Sequence, residues 1–274
     1  MKLDFVIIGG MKCGSTAVGS FFSKHPEVNF CKIIEGDYFA LNKMRIKTLR
    51  EYFRVYFNEK PGLKGESSPT YSHPGNLPGT ALKLKENFPD IKVILIVRNP
   101  YKRIESHMNH LRLNGHDIPK DFDECIIKFP NIIKNSCFGF MVDEYLKVFG
   151  KEQFMVVNFE DIISGVGLDQ ICDYLEIEKI QEILPKANKT DLRYVELPIT
   201  KFYKSHWVKF GKIPGFDLIK KPLKFFLDKS FSKKLPTTDI YLSIQSNEKI
   251  KEVLREDVLL FKKHYGYSPF NLKS

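Results

Sequence analysis

Short apolar runs punctuated by glycine alternate with longer stretches of helical period, and that order predicts an α/β fold. Residues 5–8 are Phe-Val-Ile-Ile followed by Gly9 and Gly10, and a short β-branched run of this kind fits a buried parallel strand better than a helix. Lys92–Val97 repeats the pattern almost without interruption, a short extended segment reaches Phe30, and residues 154–157 supply a further strand. Behind the first run, Ser15 and Thr16 stand where an N-cap belongs, with Ala17, Val18, Phe21 and Phe22 at helical spacing. In residues 46–57, Ile46, Leu49, Tyr52, Phe53 and Tyr56 recur at three and four, which predicts an amphipathic helix. Helices are also expected over 80–88, closed by Pro89, over Phe138–Phe149, over 168–175 and over 245–264. The last of these has Ile250, Val253, Leu254, Val258, Leu259 and Phe261 as its buried stripe. Residues 109–130, with Gly115, Pro119 and alternating charges, read as a loop, and 188–197 show no period. These elements add up to a central parallel β-sheet flanked by helices, in a single domain across residues 1–274.

Composition narrows the class. With 43% hydrophobic and 13% aromatic residues the chain is globular, not disordered. Its five cysteines are scattered, without CxxC or Cys/His ligand spacing, and read as reduced thiols. The start Met1-Lys2-Leu3-Asp4 runs straight into the first strand and no apolar run is long enough to span a bilayer, so a cytoplasmic protein without leader or anchor is expected. Of the formal net charge of +10, most sits in residues 199–235, where ten lysines face two aspartates. Phe202, Tyr203, Trp207, Phe210, Phe216, Phe225, Phe226 and Phe231 are interleaved with them, a pattern that suits an anionic membrane surface or a polyanionic glycan. It equally suits a solvated helical face whose aromatics are core. No recognised nucleic-acid motif accompanies the charge.

The chemistry begins at Gly9-Gly10-Met11-Lys12-Cys13-Gly14-Ser15-Thr16. A helix opening directly after a glycine turn aims its unpaired N–H groups and positive dipole end into the turn, which makes this P-loop-like strand-loop-helix a place for an anion. An ATPase loop requires lysine immediately after its second glycine, whereas Lys12 precedes Gly14 by two residues. The bland alternative is a strand-turn-helix whose glycines only allow tight packing. Lys-x-Gly-Ser-Thr behind an apolar strand resembles the 5′-phosphosulfate loop of the sulfotransferases that use 3′-phosphoadenosine 5′-phosphosulfate (PAPS). A second signature of that family, a strand ending in Arg with Ser eight residues later on a helix, is matched by Arg98 and Ser106.

The resemblance implies the rest of the candidate site. Lys12, Cys13, Gly14, Ser15, Thr16 and Ala17 would hold the 5′-phosphosulfate, Arg98 and Ser106 the 3′-phosphate, and Lys233 and Lys234 would contact phosphate from a covering loop. In the glycan-modifying branch a Glu shortly before a pair of aromatics is the catalytic base, and Glu35 precedes Tyr38 and Phe39 at that spacing. Asp37 and His107 are the next candidates for the base. Residues 65–71 read Gly-Glu-Ser-Ser-Pro-Thr-Tyr, which resembles a segment of bacterial sulfotransferases and makes Glu66, Ser67 and His107 candidate acceptor contacts. The heparan-modifying branch carries lysine where Ser67 stands, which weakens a heparan-like acceptor, and Asn99 replaces the usual Asp after the arginine. The implied reaction is sulfuryl transfer from PAPS to a hydroxyl of a carbohydrate or glycolipid, leaving 3′,5′-diphosphoadenosine and needing no metal. Its rivals are an ATP-dependent kinase and a non-catalytic membrane- or glycan-binding protein.

Overall fold

The computed structural model describes residues 1–33, 36–41, 48–77, 79–181, 194–196, 232–234 and 240–272. Five strands form one parallel sheet in the order β2-β3-β1-β4-β5: β1 Phe5–Ile7, β2 Val28–Phe30, β3 Leu63–Ser67, β4 Lys92–Val97 and β5 Phe154–Asn158. Parallel neighbours need crossovers, and helices supply them on both faces, which is why β1 and all but the first residue of β4 are buried. The chain moves to one side of β1 for β2 and β3, then to its other side for β4 and β5. The reversal leaves a crevice at the carboxyl ends of β1 and β4, where open α/β sheets bind ligands. β1 and β4 stay in register to their ends, with Ile8 N–H donating to Ile94 O at 2.8 Å and Gly10 N–H to Ile96 O at 3.1 Å. The loop after β1 and Arg98 after β4 therefore leave the sheet side by side.

Helix α1 (Ser15–Lys24) returns over the sheet, and Phe22 meets Phe5 edge-on at 5.2 Å between centroids. After the short α2 (Tyr38–Leu41), α3 (Leu49–Tyr56) buries Tyr52, Phe53 and Tyr56 as its period predicts. Thr48 caps α3, its hydroxyl accepting Glu51 N–H at 3.2 Å. Ile46 and the rest of 42–47 lie outside the described residues. α4 (Gly79–Asn87) and α5 (Pro100–Leu113) flank β4 in sequence, α8 (Phe138–Phe149) precedes β5, and α9 (Phe159–Ser164) and α10 (Val166–Leu175) follow it.

Four expectations change. Ser15 and Thr16 do not cap α1: the cap is Gly14, left-handed at φ 87°, and no side chain bonds to the helix start. The stretch 109–130 is not a loop throughout, since α5 runs to Leu113 and α6 (Phe122–Lys128) follows, capped by Asp121, with α7 (Asn131–Lys134) after it. The C-terminal helix is two, α11 (Ile244–Val253) and α12 (Arg255–Tyr265), broken at Leu254. The break has a packing cause: Ile250 and Leu254 enter a satellite core with Ile104, Met108, Cys125 and Ile132, whereas Phe261 enters the main core. Val253 and Leu259, expected in one stripe, are exposed. Finally, Tyr194–Glu196 pairs antiparallel with Ser232–Lys234, a contact across 38 positions that no local period could announce. Otherwise the Lys- and Phe-rich stretch 199–235 lies outside the described residues, as do the side chains of Lys233 and Lys234. No helix among the described residues is long and apolar enough to cross a membrane.

Candidate functional site

The loop after β1 closes on itself in one turn, with Cys13 N–H donating to Gly10 O at 3.0 Å. Lys12 at φ 71° and Gly14 at φ 87° both sit in the left-handed region, which is costly for lysine and free for glycine. Ala17 and Val18 N–H both bond to Gly14 O, so the donors ahead of them, on Gly14, Ser15 and Thr16, are those for which a helix start has no internal acceptor. With no side-chain cap in the way, they are available to an anion. Cys13 and Ala17, expected to join them, spend their N–H groups within the loop. The Cys13 thiol is fully buried and burial pushes it up to about 12, so it remains a thiol. A methyl at Gly14 would lie 2.7 Å from the Phe159 ring, which closes that side of the loop.

Arg98 crosses from β4 to the loop. Its Nη1 donates to Lys12 O at 3.2 Å, and its guanidinium lies 4.2 Å from the centroid of the Phe159 ring. Burial draws its pKa down, and its Nε is enclosed with no acceptor among the described residues. An orphaned guanidinium N–H beside a ring of free amides suits an incoming anion. Lys12, Arg98 and Ser106 line one cavity of 330 Å³, together with Lys102, His110 and Tyr241. A larger hollow of 640 Å³ between α6 and α11 contains none of the residues the sequence singles out.

Glu35 lies outside the described residues, but the segment after it is held tightly. The Tyr56 hydroxyl donates to Gly36 O at 2.7 Å, Asp37 N–H donates to Ser68 Oγ at 3.3 Å, and Phe39 N–H donates to the Tyr71 hydroxyl at 3.2 Å. The Thr70 hydroxyl donates to the Asp37 carboxylate. Gly36 is required there, since a Cβ would lie 2.0 Å from the Tyr56 ring.

Glu66, expected at the acceptor, instead points into the protein at 1% exposure, where the Tyr52 hydroxyl donates to its Oε2 at 2.6 Å. Through Tyr52 it supports the aromatic wall of Tyr38, Phe39 and Tyr52. Ser67, also buried, ends β3 opposite Ile7. Burial pushes the Glu66 carboxyl from an ordinary 4.5 up to about 7. Between those values the folded state holds more protons than the unfolded, so Glu66 weakens folding as pH rises. The Glu66→Gln variant lacks this titration, and its melting temperature relative to wild type should climb by several degrees from about pH 5 to about pH 8. Asp257, which burial raises to about 6, cancels in the comparison. A constant difference across the range would show that Glu66 ionises normally in the folded protein.

His107, a candidate both for acceptor contact and for base, is also displaced from those roles. It is 3% exposed, its Nδ1 lies 3.4 Å from Arg103 Nη1, and burial with that guanidinium pulls it down to about 3. A neutral, enclosed imidazole supports its neighbour Arg103 on α5. The sequence reading missed Arg103, Phe159, Glu160 and the tyrosine hydroxyls. Arg103 and Phe159 pack against the loop, and Glu160 carries a buried Oε2 with no partner among the described residues. The signal available for Arg103 was its place one helical turn before His107, on the face of α5 that meets the loop.

A sulfotransferase from Alicyclobacillus acidocaldarius shares the fold at a TM-score of 0.64, with 20% identity over 96% of this chain and 95% of that one. The membrane-associated sulfotransferase kil1 of Dictyostelium discoideum is 32% identical over 102 residues, 36% of this chain and 21% of that protein. The bifunctional heparan sulfate N-deacetylase/N-sulfotransferase 1 of Caenorhabditis briggsae is 29% identical over 220 residues, 78% of this chain and 24% of that protein. The chain thus spans a quarter or less of these two relatives. The sulfotransferase domain family matches residues 2–209, about three-quarters of the chain and a span that includes all five strands of the parallel sheet, and the chain belongs to that family.

Proposed function

We propose that the chain transfers a sulfuryl group from PAPS to an acceptor hydroxyl, with a carbohydrate or glycolipid as acceptor. The observation that carries this reading is that Lys12, Arg98 and Ser106, drawn from two separate stretches of sequence, line one cavity beside the free N-terminal amides of α1. The donor suits the residues present: an enclosed Arg98 Nε lacks an acceptor, and a terminal phosphate would provide one. PAPS supplies the activated sulfuryl group. Gly14, Ser15 and Thr16 N–H groups hold the 5′-phosphate, Lys12 neutralises charge on the leaving oxygen, and Glu35 takes the acceptor proton.

A carbohydrate acceptor is supported by the heparan sulfate relative, whose name specifies N-sulfation, so an acceptor screen includes amino sugars beside hydroxyls. The Lys- and Phe-rich stretch 199–235 is the candidate for peripheral contact with an anionic membrane, as the name of the membrane-associated relative suggests.

The donor is tested by thermal-shift titration with 3′,5′-diphosphoadenosine against ATP-Mg²⁺, on wild type and Arg98→Ala. Ligand at 100 times its Kd stabilises by about 2.7 kcal/mol, a clear shift. A shift with the diphosphate alone, lost in Arg98→Ala, supports the proposal. A shift with ATP instead turns the assignment to a kinase, and none with either turns it to a binding protein.

A further inference from the structure

Among the described residues, the largest fully enclosed side chain is a cation, Arg103 on α5. Enclosing a guanidinium costs several kcal/mol unless its hydrogen bonds and charge are matched. The hydrogen bonds are: Nε donates to Ser136 Oγ at 2.5 Å, Nη2 to Ile132 O, and Nη1 to Met11 O at 3.4 Å, with His107 Nδ1 also 3.4 Å from Nη1. The charge is not: among the described residues the ionisable groups acting on it are Cys13, Cys137 and Arg98, with no carboxylate among them. Cys13 and Cys137 both stay thiols, pushed up by burial, and His107 stays neutral. Burial lowers Arg103 to about 10, so it is cationic at neutral pH.

Met11 O faces Arg103, and the next carbonyl, Lys12 O, faces Arg98 Nη1 at 3.2 Å. Two successive carbonyls of the loop are thus each held by an arginine. In a trans peptide the N–H points opposite to the carbonyl, so the Lys12 N–H is turned away from α5. Between them Lys12 takes φ 71°, a conformation that costs a non-glycine residue roughly 1–2 kcal/mol and persists only where its surroundings impose it.

We propose that Arg103 is a positioning residue for the sulfonate end of the donor: anchored on Ser136 and Ile132, it holds the Met11 carbonyl, sets the backbone of Lys12, and takes its missing counter-charge from the bound anion. The inference rests on the reading of this loop as the 5′-phosphosulfate site.

Two nucleotides separate this role from general support of the fold. Adenosine 3′-monophosphate needs only the Arg98 end of the cavity, whereas 3′,5′-diphosphoadenosine also needs the loop. In calorimetric titrations of Arg103→Met, the diphosphate should bind about 10- to 100-fold more weakly than to wild type, the range for losing a hydrogen bond to a charged group. Binding of the 3′-monophosphate should change by less than about twofold. Arg103→Lys, which keeps the charge without the fork, should recover little. Ser136→Ala retains the cation and loosens its anchor, and should give the same selective loss at about threefold to tenfold; it decides the matter if Arg103→Met does not fold. Equal loss of both nucleotides, or loss of neither, in the folded variants overturns the proposal. Failure of wild type to bind the diphosphate overturns the donor reading, and the proposal with it.

Discussion

Glu35→Gln is expected to lower turnover by about 10²- to 10⁴-fold, the usual contribution of a positioned general base, while affinity for 3′,5′-diphosphoadenosine stays within about twofold of wild type. An acceptor hydroxyl is a poor nucleophile and must lose its proton as it attacks sulfur, and Gln keeps the shape of Glu without the ability to take that proton. The hypothesis draws on the frame around the next residues: hydroxyls of Tyr56, Ser68 and Tyr71 hold Gly36, Asp37 and Phe39 through their backbone atoms. The neighbouring carboxylate of Asp37 already accepts the Thr70 hydroxyl, so Asp37→Asn should cost much less. The check is steady-state kinetics with any acceptor that wild type sulfates, beside nucleotide titration of the same preparations. Equal losses of turnover and nucleotide affinity in Glu35→Gln would remove it as base.

The elements that frame the candidate donor end were legible because their parts are local. A β-branched run, a glycine turn and a helical period within residues 5–22 specify strand, loop and helix without help from elsewhere, and the same holds for Lys92–Val97 with Arg98 and Ser106 behind it. The acceptor end was less legible because burial there contradicts residue type. Glu66 and His107 are polar residues in a motif-like setting, which invites a substrate role, yet tertiary packing closes over both. Arg103 escaped for the same reason: an arginine on a helix reads as surface charge, and only the turn carrying Ile132 and Ser136, some 30 residues on, makes it interior. The break at Leu254 was equally hidden, since one apolar stripe can serve either one core or two.

The loop's chemistry and its backbone make separate demands on Lys12, and two substitutions tell them apart. In Lys12→Ala, turnover should fall by about 10²- to 10³-fold, the scale of removing one preorganised group that meets developing charge. Nucleotide affinity should fall by less, because the amides of α1 and Arg98 remain. Alanine at φ 71° keeps the left-handed strain, whereas glycine there relieves it, at roughly 1–2 kcal/mol. Against this, glycine loses about 0.5–1 kcal/mol to the greater freedom of its unfolded chain. Lys12→Gly should therefore melt at or above the temperature of Lys12→Ala and be equally slow, because neither carries the ammonium. If Lys12→Gly instead regained a large part of wild-type turnover, the left-handed turn and not the charge would be what residue 12 contributes. The two arginines that hold the Met11 and Lys12 carbonyls would then account for its place in the site.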